Sequence, residues 1–305
     1  MADTAPQDNQ TYHGNCHCGA VKFTLTLPTI TMINECNCSI CFRKNYAWIF
    51  PPVGGLVFQE GRGREKMKGY EFGGKSMVHE FCPTCGTGIM GKRHNAPAGM
   101  DIAVNVRAIN DLDIWSLKVN TFDGAAIEPA YVTHPYTGPE PEAVVENGKL
   151  YTGSCHCGGT TMAFKSRGAF SEGKEKVHEC NCSICNRDGT SLAYPPASHV
   201  AVSTSPSAPL THYRFGRHYQ EHRFCSVCGV PVCTRKLPDV SLEEFSLHPN
   251  PIVKEMTPEQ LKAIYEKMQN MLPINVRCLD GVEWGSFEVA KGDYKDSPPE
   301  YEVPA

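Results

Sequence analysis

Short runs of β-branched and aromatic residues recur along the chain, and Gly, Pro and Asn bound them. In several runs apolar and polar side chains alternate, as in AVKFTLTL from Ala20, AVNVR from Ala103 and VAVST from Val200. Alternation is typical of strands that bury one face, and the bounding residues are typical of turns. The pattern therefore predicts a mainly β protein with many loops.

One segment follows a helical period instead. In TPEQLKAIYEKMQNML, which begins at Thr257, five apolar side chains fall on one face: Leu261, Ile264, Tyr265, Met268 and Leu272. Thr257 and Gln260 form the sequence signature of a capping box, and Pro258 suits the first helical position. We predict an α-helix here. Its expected role is to pack on its own domain, and the alternatives are a lid or an interface between domains.

Four sequence blocks occur twice, in the same order. They are GNCHCGAVKFTL from Gly14 and GSCHCGGTTMAF from Gly153; ECNCSIC from Glu35 and from Glu179; HEFCPTCG from His79 and HRFCSVCG from His222; AVNVRAIND from Ala103 and PINVRCLDG from Pro273. This order predicts two tandem domains, 10–130 and 149–292. A linker rich in Pro and Glu is expected at 131–148, and a loose tail at 293–305. The second domain carries 27 extra residues between matching blocks, and these include the predicted helix.

Charge and hydropathy argue against several kinds of partner. The net charge is −4 and no run of five or more Lys and Arg occurs, so nucleic acid is not an expected partner. The first ten residues lack the apolar segment of a secretory signal, and no apolar stretch is long enough to span a membrane. We therefore expect a cytoplasmic protein without a membrane partner.

The chain has 16 cysteines, most of them closely spaced. In a reducing compartment such spacing favours metal binding. The alternative is a secreted protein with a disulfide framework, but such frameworks rarely repeat Cys-x-Cys and Cys-x-x-Cys pairs. Cys233 and Cys278 have no counterpart in the first repeat and are expected to be small buried thiols.

Each repeat carries seven of these cysteines, which divide into four and three. A structural zinc ion takes four ligands in a closed tetrahedron, and two short-spaced pairs can supply them. The first and last pairs of each repeat meet this requirement, and we call them the closed groups. The first closed group is Cys16, Cys18, Cys82 and Cys85, and the second is Cys155, Cys157, Cys225 and Cys228.

The other three cysteines of each repeat lie in one CNCSIC segment, and we call them the trios. The first trio is Cys36, Cys38 and Cys41, and the second is Cys180, Cys182 and Cys185. Three protein ligands on zinc leave a position for water or substrate, which is typical of a catalytic site. Three thiolates also form a soft centre that suits another sulfur ligand, so a thiol or thioether substrate is expected.

Two other interpretations of the trios are open. In the first, a histidine such as His79 or His178 completes a second structural tetrahedron. In the second, the trio cysteines are redox thiols that pair as disulfides.

Taken in order, these motifs resemble the glutathione-dependent formaldehyde-activating enzyme family, which also includes centromere protein V. The resemblance rests on GNCHCGAV, ECNCSIC and HEFCPTCG in the first repeat, and on GSCHCGGT, ECNCSICNRDG, LTHYRFG, HRFCSVCGVPV and INVRCLDGVEW in the second. It implies two small β-tent domains, a fold shared with Rab-interacting release factors and methionine-R-sulfoxide reductases. It also implies a structural zinc at each closed group and a catalytic zinc at each trio. That would be two Zn2+ per domain and up to four per chain.

The activity that the resemblance implies is that of a carbon–sulfur lyase. The reaction for which the family is named joins glutathione and formaldehyde reversibly as S-hydroxymethylglutathione. The expected partner is therefore a small-molecule thiol adduct, derived from glutathione. The alternatives are a different small-molecule reaction at the same open zinc, or a non-catalytic zinc module that binds protein partners. The intact trios argue against the last of these.

The two repeats differ directly after their trios. Family members commonly carry a basic residue and a Gly there, and the second repeat keeps both as Arg187 and Gly189. The first repeat has Asn45 in the glycine position. Because glycine permits positive φ and close approach to a ligand, we expect the second repeat to carry the chemistry. The first repeat would then have a changed substrate or a supporting role.

Two kinds of charged or titratable side chain are further candidates for the site. His79 and His222, each three residues before a Cys-x-x-Cys pair, are candidate catalytic acids or bases. The alternative is that they support a ligand or lie exposed on a strand. Arg43, Lys44 and Arg187 follow the trios and would bind a carboxylate of a peptide-like thiol. The alternative is that all three are solvated surface charges.

A pair of polar residues recurs on one predicted strand of each repeat. Asn105 with Arg107, and Asn275 with Arg277, are two positions apart and therefore share a face. That face is either a wall of the pocket or the outside of a sheet.

Overall fold

The computed structural model describes residues 8–127, 129–216, 218–236, 239–298 and 300–305. The first seven residues, which bear on the expected lack of a secretory signal, lie outside this description. The chain divides into two compact units. Apart from two short segments, the first unit ends at Tyr131 and the second runs from Val132 to Glu302. The predicted linker, 131–148, contains no helix or strand.

The first unit has ten strands and one short α-helix in its described part. Strands β1 to β10 are Asn9–Asn15, Lys22–Pro28, Met32–Cys36, Ala47–Ile49, Leu56–Phe58, Lys68–Tyr70, Met77–Phe81, Gly88–Arg93, Ile102–Asn105 and Lys118–Phe122, and helix α1 is Ser39–Lys44. Strands β1, β2 and β5 form a small antiparallel sheet. The larger sheet has the order β10-β3-β4-β9-β8-β7-β6, in which only β10 and β3 run parallel.

The second unit repeats this topology. Strands β11 to β20 are Lys149–Ser154, Thr160–Ser166, Val177–Cys180, Leu192–Ala193, Val200–Thr204, Leu210–Arg214, Gln220–Cys225, Pro231–Lys236, Ile274–Asn275 and Val289–Gly292. Its helices α2 to α5 are Ser183–Asp188, Leu242–Ser246, Pro251–Lys254 and Pro258–Gln269. The small sheet is β11-β12-β15, and the larger sheet, read from its other edge, is β20-β13-β14-β19-β18-β17-β16. The protein is therefore mainly β with two tandem domains, as the sequence predicts.

Single turns of 3-10 helix complete the secondary structure of both units. They are Arg64–Lys66, Val106–Ala108, Ile114–Ser116, Gly124–Ala126, Phe170–Glu172, Ala197–His199 and Val276–Cys278. Among the described helices, none has both the length and the apolar character needed to cross a membrane.

Strand β2 shows why the alternating pattern predicts the fold correctly. Its apolar residues Phe23, Leu25 and Leu27 are buried, whereas Thr24 and Thr26 between them are more exposed. Successive side chains of a strand point to opposite faces, so one face of β2 supplies core and the other faces away from it. The hydrophobic pattern therefore fixes which face of the strand is buried.

A buried asparagine ties three strands together in each unit. The Nδ2 of Asn105 donates to the carbonyl oxygen of Gly88 at 2.8 Å, and its Oδ1 accepts the backbone N–H of Ala47 at 3.4 Å. Asn275 makes the equivalent two bonds in the second unit, at 2.9 and 3.3 Å. Buried amide groups are stable only when they are hydrogen-bonded. These asparagines are buried and hold strands together, so they do not lie on the outside of a sheet.

The insertion of the second unit, between β18 and β19, has a small core of its own. Val240 and Phe245 are buried there, and the packing side chains are Tyr219, Val253, Leu261, Ile264, Tyr265 and Met268. Helix α5 confirms the predicted capping box, because the Oε1 of Gln260 accepts the N–H of Thr257 at 2.9 Å and the Oγ1 of Thr257 accepts the N–H of Gln260 at 3.3 Å. The helix thus packs within its own unit.

Candidate metal centres

The first closed group joins the small sheet to the large one. Cys16 and Cys18 follow β1, and Cys82 and Cys85 lie in the turn between β7 and β8. The Sγ of Cys18 lies 3.5 Å from that of Cys16 and 3.6 Å from that of Cys82. All four sulfur atoms lie within 4.8 Å of one another, although their positions are as many as 69 residues apart in sequence.

The second closed group repeats this arrangement. The Sγ of Cys157 lies 3.7 Å from that of Cys155 and 3.5 Å from that of Cys225. Backbone N–H groups support the sulfur atoms, since Thr160 donates to Cys155 at 3.2 Å and Val227 donates to Cys225 at 3.4 Å. The two units therefore build the same four-sulfur cluster from matching positions.

The sulfur spacing fits a tetrahedral metal site. Zinc–sulfur bonds of about 2.3 Å place the corners of a tetrahedron about 3.8 Å apart. A disulfide bond, by contrast, needs about 2.05 Å between its sulfur atoms. The observed separations of 3.5 to 3.7 Å are close to the tetrahedral value, and all sixteen cysteines are free thiols. The expected alternative of a disulfide framework is therefore wrong for this chain.

The trios are formed by a local change from strand to helix. Cys36 is the last residue of β3, Cys38 is the N-cap of α1, and Cys41 is three positions further along the helix. Residues three apart on a helix share a face, so the three sulfur atoms converge. In each trio they lie within 4.8 Å of one another. No His, Asp or Glu of the described chain joins either trio, so the interpretation with His79 or His178 as a fourth ligand is not supported.

Backbone and ring N–H groups surround the trio sulfur atoms. The N–H of Cys38 donates to the Sγ of Cys36 at 3.4 Å, and Cys182 donates to Cys180 at 3.3 Å. In the first unit the indole Nε1 of Trp48 also donates to the Sγ of Cys41 at 3.3 Å. Donors directed at sulfur favour the thiolate form. A thiolate is the form that binds metal.

One thiol in each trio is the most acidic. Hydrogen bonds from Cys38 and then Cys41 lower the pKa of Cys36 to about 3, while the hydrogen bond to Cys36 is the main cause that raises the pKa of Cys38 to about 11. In the second trio, hydrogen bonds from Cys180 and Cys185 hold the pKa of Cys182 well below its ordinary value. A metal that takes all three sulfur atoms as thiolates must displace the other protons, so its binding is stronger at higher pH.

A short loop holds each trio against the edge strand of its sheet. The Nδ2 of Asn37 donates to Asp123 at 2.8 Å, and in the second unit Asn181 donates to Asp293 at 2.7 Å. The first unit has a glycine here, and a Cβ at Gly124 would clash with the Sγ of Cys36. Residues 293 and 294, at the start of the predicted tail, are thus part of the loop beside the second trio.

The two candidate histidines are buried, so the alternative of exposed strand positions is wrong. His79 stacks on Tyr46, with ring centroids 5.8 Å apart, and its Nδ1 has no hydrogen-bond partner. Burial and the nearby charge of Lys44 lower the pKa of His79 to about 3, so its imidazole is neutral at pH 7. The Nε2 of His222 instead lies 2.6 Å from the Nε2 of Gln220.

Each unit places one lysine near its histidine, but from a different element. In the first unit Lys44, at the end of α1, is 3% exposed and its Nζ lies 5.5 Å from the ring centroid of Tyr46. Asp188 occupies the matching position in the second unit. There the cation is Lys236, at the end of β18; burial lowers its pKa, and the nearby trio sulfurs oppose that shift.

The arginines that follow the trios are buried rather than solvated. Arg43 is 6% exposed and Arg187 is 5% exposed. The Nη1 of Arg43 donates to the carbonyl oxygen of Ser39 at 3.3 Å, and its guanidinium lies 4.4 Å from the ring centroid of Tyr131. The alternative of solvated surface charge is therefore wrong for both. Their expected role in binding a carboxylate stays a prediction.

The difference between Asn45 and Gly189 does not change the backbone. Asn45 caps α1 with φ 47° and ψ 46°, and Gly189 has φ 65°. Asparagine tolerates this left-handed conformation better than other residues with a Cβ. Asn45 therefore adopts the positive φ that Gly189 also has, and this turn of the backbone does not distinguish the two units.

A family model described as glutathione-dependent formaldehyde-activating enzyme matches residues 11–123 and 150–265. Each match contains one complete closed group and one complete trio. Together the two matches cover well over half of the chain. This chain belongs to the glutathione-dependent formaldehyde-activating enzyme family. The family includes enzymes that act on glutathione adducts.

The two family matches end at different points of the repeated fold. The first match continues through β10, whereas the second ends at residue 265, inside α5. A solved structure of a protein from Rhodobacter sphaeroides is also similar, over 46% of this chain and 99% of its own length. Its sequence identity is 23% and its TM-score is 0.31.

Four side chains near the trios escaped the sequence reasoning: Trp48, Tyr194, Gln220 and Lys236. Trp48 contacts a trio sulfur directly, and burial together with the trio sulfurs raises the pKa of Tyr194. A signal for Lys236 was present, because Arg93 ends the matching strand of the first repeat with another base. The other three required knowledge of which strands are neighbours.

We expect the closed groups and the trios to respond differently to loss of one sulfur. Cys16→Ser or Cys225→Ser removes a ligand from a cluster that joins two sheets, so metal binding and folding are lost together. These variants should lose most of their yield of folded protein and melt at a markedly lower temperature. Cys38→Ser and Cys182→Ser should fold nearly normally, because each trio lies within one short segment. Thermal unfolding of the purified variants measures the difference.

Cys233→Ser is the matched control, since Cys233 is equally buried but belongs to no cluster. It should lower the melting temperature less than Cys225→Ser does. Trio variants that unfold as badly as closed-group variants would show that the trios are structural.

Proposed function

We propose that this protein is a zinc-dependent enzyme of the carbon–sulfur lyase type that acts on a thiol adduct of glutathione. S-hydroxymethylglutathione is the reference substrate. The observation that carries the proposal is the convergence of three cysteine sulfur atoms in each unit of a member of a family named for glutathione and formaldehyde. A group of three sulfurs suits an ion that still has a position for substrate.

The donor sets assign the ions to their roles. The closed groups would hold structural zinc, because four thiolates complete its coordination. The trios would hold the catalytic zinc, through Cys36, Cys38 and Cys41 in the first unit and Cys180, Cys182 and Cys185 in the second. When bound there, zinc would supply a soft Lewis acid for the sulfur of the substrate.

The reaction itself asks little of the protein besides position and one proton. In the direction of synthesis, the thiol sulfur forms a bond to the carbonyl carbon of formaldehyde, and the π electron pair moves to oxygen. The thiol proton ends on that oxygen, and nothing is oxidised or reduced. The reverse reaction returns the proton to sulfur as the C–S bond breaks. A histidine is suited to carry this proton or to donate a hydrogen bond to that oxygen, and His222 and His79 are the candidates.

A cavity of the second unit offers a place for the peptide part of the substrate. Its volume is about 430 Å3, and its lining is Arg167, Glu175, Tyr194, Pro195, Pro196, His199, Lys267, Asn270 and Met271. The charge of Arg167 is neutralised by Glu175, 3.0 Å away, so we assign the carboxylate of the substrate to the other long cationic side chain of the lining, Lys267. Tyr194 lies close enough to the second trio to interact with its charges. Glutathione carries two carboxylates, and a cationic pocket beside the trio matches that charge.

The same cavity favours the second unit as the catalytic one. Three of its lining residues, Lys267, Asn270 and Met271, come from the end of the insertion that the first unit lacks. Phe50 and Gly55 of the first unit align with Tyr194 and His199, so the polar lining is also absent there.

The first test is the metal content. We expect zinc in a ratio of up to four ions per chain, because the fourteen clustered cysteines form four groups. Elemental analysis of protein purified without chelator measures it. Two tightly held ions, with no further uptake when zinc is added, would leave only the closed groups occupied and would count against the catalytic role of the trios.

The second test ranks the two trios. Cys182→Ser should abolish turnover of S-hydroxymethylglutathione, and Cys38→Ser should reduce it less, since the cavity lined by Tyr194 and Lys267 belongs to the second unit. Steady-state kinetics on both variants with one substrate decide the ranking. The opposite order would make the first unit the catalytic one. If the zinc-loaded wild-type protein turns over no glutathione adduct, a non-catalytic zinc module becomes the better description.

The third test concerns the cavity. Lys267→Ala should raise the KM for a glutathione adduct about fivefold to tenfold and leave kcat nearly unchanged, because it removes a contact to a part of the substrate that does not react. Lys262→Ala is the matched control on the same helix. Its ammonium faces Glu266 at 3.9 Å and is not part of the cavity lining. Equal KM values for the two variants would rule out the cavity as the carboxylate site.

A further inference from the structure

Three polar side chains form a hydrogen-bonded chain beside the second trio. The Nζ of Lys236 donates to the Oε1 of Gln220, and the Nε2 of Gln220 lies 2.6 Å from the Nε2 of His222. Gln220 and Lys236 are directly opposite each other on the paired strands β17 and β18. Gln220 and His222 are two positions apart on β17 and therefore share a face. The chain thus follows from the register of the sheet.

The donors and acceptors of this chain determine where the proton of His222 lies. An ammonium group can only donate, so the atom that Lys236 contacts must be the amide oxygen of Gln220. The other amide atom is then nitrogen, which can only donate. It needs an acceptor, and the nearest is the Nε2 of His222. A neutral imidazole has one protonated and one bare nitrogen, so the proton of His222 is on Nδ1.

We propose that Lys236 and Gln220 are positioning residues that fix His222 as the Nδ1–H tautomer, the form that donates a hydrogen bond to the substrate oxygen in the second unit. The role in catalysis rests on the proposed function, whereas the tautomer itself does not. With Nε2 occupied as an acceptor, a neutral His222 keeps its proton on Nδ1 and would stabilise charge on that oxygen as a donor, without losing the proton. Lys236, at the other end of the hydrogen-bonded series, is close enough to the second trio to interact with its sulfurs.

The first unit lacks this chain. Met77 and Arg93 occupy the positions of Gln220 and Lys236, again opposite each other on paired strands. Methionine has no amide group, so it cannot make the two hydrogen bonds by which Gln220 links Lys236 to His222. The matching His79 stacks on Tyr46, and its Nδ1 has no partner. Two histidines at equivalent positions are therefore held in different ways, and only His222 has its tautomer fixed from the strand side.

The insertion helps to hold the hydrogen-bonded side chains Lys236, Gln220 and His222 in place. Tyr219, which directly precedes Gln220, packs into the core of the insertion, and its ring lies 4.7 Å from that of His248. Lys236 is the last residue of β18, and the polypeptide enters the insertion directly after it. The insertion therefore restrains the strand on both sides of the Lys236 to Gln220 hydrogen bond. The same restraint is missing from the first unit, which has no insertion.

Nuclear magnetic resonance of the zinc-loaded full chain, labelled with 15N at histidine, reads the tautomer directly. His222→Gln identifies the His222 signals. We expect the wild-type spectrum to show His222 with a proton on Nδ1 and a bare Nε2. Gln220→Met, which installs the residue of the first unit, should give a mixture of tautomers. It should also lower kcat for S-hydroxymethylglutathione about tenfold while KM changes less than about twofold.

Two further variants separate positioning from general stability. Lys236→Arg keeps a group that can only donate and should preserve the wild-type tautomer, whereas Lys236→Met should resemble Gln220→Met. Gln269→Met removes a glutamine side chain from α5, where its amide donates to the hydroxyl of Tyr265, and should alter neither the tautomer nor kcat. Circular dichroism confirms that each variant is folded before it is compared.

Each result decides a separate point. Two results would overturn the proposed control of the His222 tautomer, whatever the activity. One is a bare Nδ1 in the wild type, and the other is an unchanged His222 signal in both Gln220→Met and Lys236→Met. An altered tautomer with unchanged kcat overturns the positioning role. If the wild-type protein has the expected tautomer but turns over no glutathione adduct, the hydrogen-bonded arrangement stands and the proposed function is refuted.

Discussion

Four sulfur atoms held 3.5 to 3.7 Å apart are the contact on which each unit depends. Two unit negative charges at about 4 Å repel by about 4 kcal/mol in a protein environment of intermediate polarity. Four thiolates at that spacing are therefore stable only around a cation. Because two of the sulfurs follow strand β1 of the small sheet and two lie between strands of the large one, a cation bound there would also hold the two sheets together. Its binding free energy would offset the entropy cost of closing such a long loop.

The trios satisfy a different constraint. Each lies within six residues, at a junction of strand and helix, and is held by an asparagine that also bonds the neighbouring edge strand. No distant parts of the chain meet there, so the fold does not require a fourth protein ligand. A cluster with three sulfurs can therefore keep a coordination position for substrate without loss of the structural framework. This division between folding and chemistry follows from where the cysteines lie in the chain.

Much of this arrangement was predictable because its signals are local or repeated. The alternation in β2, the capping box of Thr257 and Gln260, and the pairing of the cysteine motifs all depend on short spacings. The contacts of His222 were not predictable, because the partners Gln220 and Lys236 meet only when the register of β17 and β18 is known. The burial of Arg43 and His79 was missed for a similar reason: a charged or titratable residue gives no sign of which face it lies on. At Asn45 the sequence departs from the motif of the second repeat, but the backbone makes the same turn.

The differences between the units are concentrated around the trios. Three thiolates and a dication would carry a net charge near −1, and a nearby cation would offset it. The first unit supplies Lys44 from α1, whereas the second has Asp188 in that position and would gain negative charge instead. In the second unit the positive charge comes instead from Lys236, at the end of β18. Lys236 is hydrogen-bonded to Gln220, which in turn is hydrogen-bonded to His222. The closed groups show no such change. Their four sulfurs would occupy every position of a tetrahedral site, so no position is left for a substrate. The duplicated cysteine framework has therefore kept its four-sulfur groups constant, while the side chains that would face a substrate have diverged.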